Sequence, residues 1–171
     1  PHWYGLRFFN VYGPNEYLKQ DMASVVFKAF GQIRETGRLK LFKSHRPDFK
    51  DGEQQRDFVY VKDIVRWMDE LLERSSGKGT PAANGIYNMG FGTARTWNDL
   101  AKSTFTSLDQ PLKIDYIDIP EVLRPRYQYF TEAKMQRLLG LGLSKPAWPL
   151  EKGVTDYVKN HLATSGGPAW L

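Results

Sequence analysis

Cationic side chains and a glycine pair are the residues of this sequence whose types suggest phosphate chemistry. Arg56 opens a short apolar run, and its guanidinium presents a fork that matches paired phosphate oxygens. An ion pair with Asp57 is the rival interpretation, but neighbouring residues of a strand point to opposite faces, which argues against it. Gly90 and Gly92 follow a predicted strand and precede a predicted helix, as a dinucleotide-binding loop would. The third glycine of that motif would fall at Arg95, so the sequence favours a turn.

Other catalytic arrangements lack the required residues or spacing. None of the nine tyrosines has a lysine four residues later, the helical spacing at which an ammonium lowers the pKa of a phenol. His2, His45 and His161 are dispersed, so no metal site is expected, and no motif supports Ser-His-Asp hydrolysis. Lys19 lies just before a predicted helix, and composition alone favours a surface lysine there. A helix N-terminus beside it would favour a nearby negative charge.

The composition indicates ordinary globular material. The chain has 171 residues, of which 41% are hydrophobic and 25% charged, and a formal net charge of +5. Because the basic residues are scattered rather than grouped, no nucleic-acid partner is expected. No apolar run approaches the roughly 20 residues that cross a membrane, so no membrane association is expected either. The absence of cysteine excludes disulfides and thiol catalysis within this chain and is consistent with a cytoplasmic protein.

The first half of the sequence predicts alternating strands and helices. Gly5 to Phe9 is a buried strand, and Asn10 to Pro14 is a loop that turns the chain. A helix follows, with Asp21 as its N-cap and Gly37 at its end. Its predicted apolar face consists of Met22, Val25, Val26, Ala29, Phe30 and Ile33.

Further along, Leu39 to Phe42 is predicted as a strand, and Lys43 to Gln55 as a loop long enough to suspect function. Arg56 to Val61 is predicted as a strand, after which Asp63 caps a helix. The residues of this second helix expected to face inward are Ile64, Trp67, Met68, Leu71 and Leu72.

The second half repeats the alternation. After a connector at 75–84, the pattern predicts a strand at Ile86 to Met89 and a helix with a near capping box, Thr96 with Asp99. That helix carries an apolar face, and later elements are a strand at 114–119, a helix at 131–139 and a last helix opened by Pro149. The residues of the apolar face are Trp97, Leu100, Ala101, Phe105 and Leu108. The fold class is therefore α/β.

A buried strand at residue 5 needs neighbours, and almost nothing precedes it. The chain is therefore expected to be the C-terminal part of a larger protein. Its open sheet edge is expected to make the isolated chain associate.

Five short motifs in order carry a family resemblance. Arg7-Phe-Phe-Asn-Val-Tyr-Gly-Pro14, Arg56-Asp-Phe-Val-Tyr-Val-Lys-Asp63 and Tyr87-Asn-Met-Gly-Phe-Gly92 resemble the extended short-chain dehydrogenase/reductases, which rearrange nucleotide sugars. Lys19-Gln-Asp-Met-Ala-Ser24 and Arg126-Tyr-Gln-Tyr-Phe-Thr131 narrow the resemblance to the epimerases of that family that act on ADP-heptose. The stretch from Leu39 to Pro47 agrees with this, and the resemblance runs from Gly5 to about Leu162.

The resemblance implies a domain arrangement. Residues 1–13 and 56–90, approximately, would complete a Rossmann-like cofactor sheet, and 14–55 and 91–163 would form the small substrate-binding domain. Residues 164–171 would be a frayed tail. The glycine-rich cofactor loop and the catalytic Tyr-x-x-x-Lys would lie upstream of Pro1, so the isolated chain is expected to be inactive.

The resemblance also implies site residues. Lys19 would be a second acid/base opposite the upstream tyrosine, because an epimerase that works through a transient ketone needs proton delivery to either face. Val11 and Lys19 would contact the cofactor, NADP, which the upstream half would mainly bind. The substrate contacts would be Asn10, Asp21, Lys28, Phe42, Lys43, Ser44, His45, Arg56 and Tyr127.

Several of these residues have a purely structural alternative. Asn10 is also typical of a strand-end turn, and Asp21 of a helix N-cap. Lys28 fits a solvated helix face, and Phe42 and Tyr127 fit a core. Asp21 and Lys28 depart in residue type from the family pattern.

The activity implied is epimerisation of an ADP-linked heptose at C6″ for lipopolysaccharide synthesis, by NADP-dependent oxidation and re-reduction in a homo-oligomeric protein. Two alternatives stay open. One is another epimerase or dehydratase of the family that acts on a UDP- or dTDP-sugar. The other is a non-catalytic nucleotide-binding module, which a chain without Tyr-x-x-x-Lys would satisfy.

Overall fold

A computed structural model describes residues 3–76 and 83–164 as alternating strands and helices. The strands are β1 Tyr4–Phe8, β2 Asn10–Tyr12, β3 Leu39–Phe42, β4 Gln55–Arg56, β5 Phe58–Tyr60, β6 Gly85–Met89, β7 Arg95–Thr96 and β8 Ile114–Ile117. The α-helices are α1 Val25–Thr36, α2 Val61–Ser75, α3 Trp97–Ser107, α4 Gln136–Leu139 and α5 Leu150–Tyr157. Short 3₁₀ segments span Tyr17–Met22 and Glu121–Arg126, and a π-helical turn spans Val158–Leu162. This alternation confirms the α/β class.

The strands of the described residues pair mainly in parallel. β1 pairs with β6, β2 with β5, and β3 with β8, all parallel, while β4 pairs antiparallel with β7. Strands that pair in parallel need crossover connections, and helices α1, α2 and α3 lie in these connections. Residues at the carboxyl ends of β1 and β2 and at the start of α1 line one cavity.

The first strand, predicted as a buried strand from Gly5 to Phe9, ends at Phe8 and is only partly buried, and a second strand follows it almost at once. The predicted loop from Asn10 is wrong because Asn10–Tyr12 forms β2. At Phe9 the chain changes neighbour: the Phe9 N–H donates to Met89 O at 3.0 Å, and the Asn10 N–H donates to Asp57 O at 3.1 Å. A partner strand nearly fifty residues away thus overrides the local turn preference of Asn10 and Gly13.

Helix α1 begins three residues later than predicted. Its N-cap is Ser24, whose hydroxyl accepts the Phe27 N–H at 3.2 Å, so the prediction of Asp21 as the cap is wrong. Met22 is exposed and does not join the helix face, while Val26 and Ile33 are buried. Gly37 ends the helix in the left-handed conformation, as predicted.

Helix α2 begins earlier than predicted. It starts at Val61 with no side-chain cap, so the prediction of Asp63 as the N-cap is wrong. Asp63 is instead fully buried, where its carboxylate accepts the backbone N–H groups of Ala147 and Trp148. Met68 and Leu72 were expected to face inward but are exposed.

The third predicted helix and its cap are confirmed, whereas the fourth is shorter than predicted. Thr96 and Asp99 form a complete capping box at the start of α3. Residues 131–135 are not helical, and only Gln136–Leu139 is. The cause is non-local, because the Thr131 N–H donates to Gln55 O and the Ala133 N–H to the Asp57 carboxylate. Pro149 directly precedes α5.

Three buried clusters hold these elements together. One packs α2 against β1 and β6 around Trp67, and one packs α5 around Tyr12 and Tyr60. The third packs α1 and α3 against β3 around Phe105. Much of the predicted connector at 75–84 and of the predicted frayed tail lies outside the described residues. No helix in the described ranges is long and apolar enough to cross a membrane.

Candidate functional site

Two cavities meet at Val25 and Trp97. One, of about 580 Å³, is lined by Lys19, the end of β1, β2 and the start of α1, and is called here the Lys19 cavity. The other, of about 680 Å³, runs between α1, β3 and β8 and is called the Tyr127 cavity. Both volumes fall in the range of small-molecule sites. Because Val25 and Trp97 line both cavities, the two cavities adjoin.

The Lys19 cavity brings together three residues that the sequence assigned to the site. The switch of partner strand at Phe9 places Asn10 and Val11 on its wall, and Lys19 reaches it from the Tyr17–Met22 segment. Asn10 and Lys19 are exposed, and Val11 is half-buried. An amide and an ammonium over an apolar wall are suited to holding a polar ligand and moving a proton.

The Tyr127 cavity brings together the predicted aromatic contacts. The Phe42 and Tyr127 rings meet edge to face with centroids 6.1 Å apart. The Trp97 indole N–H donates to the Tyr127 hydroxyl at 3.1 Å, which leaves the hydroxyl hydrogen available for a ligand. Burial raises the pKa of Tyr127, so the phenol stays a donor near neutral pH.

Arg56 lies beside these rings and is almost fully buried, with 8% of its surface exposed. Its guanidinium stacks over the rings of Tyr127 at 5.3 Å and Trp97 at 5.7 Å, and one N–H donates to Gln55 O. Burial lowers the pKa of Arg56, but an arginine remains charged. Within the ranges that the structure describes, no carboxylate forms an ion pair with it. A buried cation with unused donors favours binding of an anion.

The neighbouring carboxylate faces the other way. Asp57 accepts the N–H groups of Phe91, Gly92 and Ala133 at 2.6–2.9 Å, so the rival ion pair with Arg56 does not form. The same contacts confirm that Gly90 and Gly92 form a turn. The anion held by its backbone N–H groups is the protein's own carboxylate, and no phosphate is needed there.

The loop that carries Lys43, Ser44 and His45 is held at each of these residues. The Lys43 N–H donates to Ile117 O at 2.8 Å, and the Ser44 N–H to Asp51 Oδ1 at 2.8 Å. The His45 N–H donates to the Tyr129 hydroxyl at 3.0 Å, and that hydroxyl also lies 2.8 Å from His45 Nδ1. The His45 and Tyr127 rings lie 6.5 Å apart, so this loop borders the aromatic end of the Tyr127 cavity.

Six predicted substrate residues lie outside both cavity linings, namely Asp21, Lys28, Lys43, Ser44, His45 and Arg56, and the first two lie on the surface. Asp21 and Lys28 are exposed, and the Lys28 ammonium donates to the Asp21 backbone carbonyl at 2.6 Å. Their substrate contacts stay a prediction. No group of three or more potential metal ligands occurs among the residues that the structure describes.

The sequence interpretation missed three residues of the site. Trp97 was assigned to a helix core face, yet it lines both cavities and bonds Tyr127. Tyr129 was overlooked, although its spacing of two from Tyr127 places both rings in one cluster with centroids 5.5 Å apart. Glu16 is buried beside the Lys19 segment, and only its acidic type next to Pro14 and Asn15 could have drawn notice.

Comparison with known proteins gives consistent matches. Residues 2–90 match the NAD dependent epimerase/dehydratase family. The chain is 51% identical over 160 residues to the ADP-L-glycero-D-manno-heptose-6-epimerase of Nitratidesulfovibrio vulgaris (strain DP4), a match that covers 94% of this chain and 48% of that protein. The chain therefore spans about half the length of the curated relatives it matches.

Solved structures agree on the fold. The ADP-L-glycero-D-manno-heptose-6-epimerase of Helicobacter pylori superposes with a TM-score of 0.75 at 30% identity, covering 95% of this chain and 45% of that chain. The UDP-glucose 4-epimerase of Thermus thermophilus, solved with NAD, superposes with a TM-score of 0.70 at 22% identity, covering 92% and 45%. Because the second match is only 22% identical, it supports the fold alone.

Proposed function

The chain belongs to the NAD dependent epimerase/dehydratase family, and from that premise we propose that it supplies the substrate-binding side of an ADP-heptose 6-epimerase. The reaction would interconvert ADP-D-glycero- and ADP-L-glycero-D-manno-heptose at C6″. The proposal covers a protein of the relatives' full length, since this chain spans about half of it. Sequence identities of 51% and 49% to proteins named ADP-L-glycero-D-manno-heptose-6-epimerase support the choice of substrate.

The observation that carries the proposal is the buried Arg56, which stacks on the cavity-lining rings of Tyr127 and Trp97 and has no carboxylate of the described residues paired to it. A sugar nucleotide has a diphosphate between two bulky ends. Arg56 would bind the diphosphate, since a guanidinium donates to two phosphate oxygens at once. The nucleotide would occupy the Tyr127 cavity against Phe42, with the 43–45 loop beside it, and the sugar would reach the Lys19 cavity.

Lys19 would exchange a proton with the oxygen on the reacting sugar carbon, and Asn10 would orient the sugar beside it. A second acid/base would be needed across the cavity, because inversion returns the hydride to the opposite face of the same carbon, and the oxygen that exchanges the proton then points to the other side. The tyrosine that the sequence resemblance implies would take that role.

A nicotinamide cofactor would supply the oxidation and re-reduction of the sugar carbon. The residues present fit one side of such a cofactor: Val11 offers an apolar wall and Lys19 a donor in the same cavity. The glycine turn at 90–92 does not bind it, because Asp57 fills its donors. We assign NADP from the sequence resemblance, and the choice over NAD is part of the proposal.

The domain division also belongs to the proposal. Residues 1–13 and 56–90 would complete the cofactor sheet, and 14–55 and 91–163 would form the substrate side. The direct bonds from Asp57 to Phe91, Gly92 and Ala133 would then join the two parts. A homo-oligomeric state and a cytoplasmic location stay predictions.

Turnover of ADP-D-glycero-D-manno-heptose by the full-length protein tests the proposal. We expect wild-type activity, a steep fall of kcat in Lys19→Ala, and unchanged kcat in Lys102→Ala, which alters an exposed lysine on α3. Unchanged turnover in Lys19→Ala would be compatible with the family assignment but would show that Lys19 has no catalytic role. Absence of turnover in the wild type would favour a sibling sugar enzyme or a binding module.

Ligand-dependent stability separates these alternatives, since a ligand that binds the folded state raises the melting temperature. We expect ADP-ribose to stabilise the full-length protein more than UDP does. A larger effect of UDP would point to a UDP-sugar enzyme. Stabilisation by ADP-ribose without turnover would support the non-catalytic module.

A further inference from the structure

A buried carboxylate closes the segment that carries Lys19. Glu16 is only 4% exposed, and its two carboxylate oxygens accept the Ser24 N–H at 2.7 Å and the Ser24 hydroxyl at 2.6 Å. Ser24 is in turn the N-cap of α1. Glu16 therefore joins both ends of the Glu16–Ser24 segment and fixes it to the helix that lines the cavity.

The same residue also holds the middle of the segment. The Lys19 N–H donates to the Glu16 backbone carbonyl at 3.0 Å, and the Ala23 N–H donates to Gln20 O at 3.1 Å. Between these bonds Gln20 has a φ of 47°, a conformation that a non-glycine residue adopts only when its surroundings enforce it. The backbone on either side of Lys19 is thus held in one shape, although the Lys19 side chain is exposed.

Helix α5 presents an aromatic side chain, Tyr157, to Glu16. Burial and, after it, the nearby Glu16 carboxylate raise the pKa of Tyr157 on α5, and the Tyr17 ring packs on Phe27. Removal of the Glu16 side chain would therefore leave Ser24 without its acceptor in a largely apolar surrounding.

We propose that Glu16 is a positioning residue that holds Lys19 against the Lys19 cavity by closing the Glu16–Ser24 segment. The proposal rests on the proposed function, because it gives Lys19 its catalytic task. Glu16 does not touch the substrate. A shift of about 1 Å in a catalytic group can cost about 100-fold in rate, so loss of the closure should lower kcat.

The chain contains a matched control for this carboxylate. Glu70 makes the same pair of bonds, to the N–H and the hydroxyl of Ser144, on α2 and away from both cavity linings. Glu70→Ala should therefore remove the same pair of bonds, together with a partly exposed contact to Arg66, without disturbing Lys19. Glu16→Gln should retain most of the closure and of the activity that Glu16→Ala loses. The amide oxygen can accept the Ser24 N–H, while the amide NH₂ donates to the Ser24 hydroxyl.

The experiment measures kcat, KM and melting temperature of the full-length protein and its variants Lys19→Ala, Glu16→Ala, Glu16→Gln and Glu70→Ala. We expect Glu16→Ala to lower kcat about 10- to 100-fold. The two alanine variants should have similarly lowered melting temperatures, and Glu70→Ala should leave kcat unchanged. Amide exchange at Lys19 and Ser24 should accelerate in Glu16→Ala alone.

The outcomes separate this inference from the proposed function. Equal kcat in Glu16→Ala and Glu70→Ala, with Lys19→Ala impaired, would overturn the positioning role and leave the proposed function standing. Full activity of Lys19→Ala, or no turnover in the wild type, would overturn both. If Glu16→Ala fails to fold, the test uses Glu16→Gln. Wild-type amide exchange at Lys19 with near wild-type kcat would support the positioning role of Glu16. Accelerated exchange with unchanged kcat would overturn that role.

Discussion

At the scale of residues, the buried charges in the described part of the chain divide into satisfied anions and one unsatisfied cation. Glu16, Asp57 and Asp63 are each buried, and each accepts backbone N–H groups of the chain itself. Arg56 is buried as well but donates only to Gln55 O and otherwise stacks on rings. Since a buried charge without a partner is costly, this asymmetry supports the proposed binding of an external anion at Arg56.

Replacing Arg56 by lysine tests that conclusion. Lysine keeps the charge but loses the planar fork and the stacking on Tyr127, so affinity for ADP-ribose should fall about 10- to 100-fold. Arg34→Lys is the control, since Arg34 is exposed and stacks only on Phe30. Calorimetric titration of the full-length protein measures both. Equal affinities would show that the diphosphate binds elsewhere.

At the scale of elements, single carboxylates join segments that lie far apart in sequence. Asp57 connects β5 to the turn after β6 and to residue 133, and Asp156 connects α5 to the β5–α2 junction through Tyr60 and Lys62. The bonds of Asp57 also fix the backbone next to Arg56, which directly precedes it.

Asp57→Asn should destabilise the protein by about 1–3 kcal/mol, because an amide cannot accept three N–H groups and its own NH₂ would face donors. Urea unfolding gives the change in the free energy of unfolding. Asp115→Asn, at an exposed ion pair with Arg38, should change it far less, because solvent screens that pair. Similar losses in the two variants would contradict the structural role of Asp57.

Asp156 should make stability fall in acid. Burial alone would raise the pKa of Asp156, but bonds from Lys62, Tyr60 and Asn160 outweigh it and lower this pKa to about 2 from 3.8. A lowered pKa means stability that is present above pH 3.8 and is lost as the pH falls through about 2. Allowing for solvent screening, the loss should be about 1 kcal/mol. Urea unfolding between about pH 5 and 2 should show this loss in the wild type and not in Asp156→Asn.

The sequence predicted the elements whose signals are local. The capping box of α3 and the glycine that ends α1 are each encoded by at most four neighbouring residues, and both predictions are confirmed. The β2 strand and the extended 131–135 segment were missed, because their partners, Phe58 and Gln55, lie nearly 50 and more than 70 residues away. The same holds for the site: Asn10, Val11 and Lys19 were found through motifs, whereas Glu16 is recognisable only once Ser24 is seen beside it.

At the scale of the whole molecule, one side is left open. Within the described part of the chain β1 pairs only with β6, and β6 is flanked on its other side by residues 134–137. Helix α2 faces residues 142–145 through Trp67, Glu70 and Arg74. Its opposite flank leaves Val65, Met68 and Leu72 exposed. An unpaired strand edge and an exposed apolar helix flank each favour association.

The isolated 171-residue chain should therefore self-associate. Light scattering should show a mass that rises with protein concentration, and Met68→Lys should reduce the rise by placing a charge on the exposed apolar flank of α2. Leu112→Lys, at another exposed apolar residue, should have little effect. A constant monomer mass in the wild type would contradict this prediction.

Trp97 and Val25 form the partition between the two cavities, and this has a consequence for how such a protein can diverge. In the proposed function, the nucleotide side is built from β3, β8 and Tyr127, and the reacting side from β2 and the segment before α1. Apart from Val25 and Trp97, the described residues that line the two cavities differ, so we expect base preference and sugar chemistry to drift independently in evolution. Only the partition couples them, and we expect Trp97 and Val25 to be the positions where selection for a new substrate trades one trait against the other.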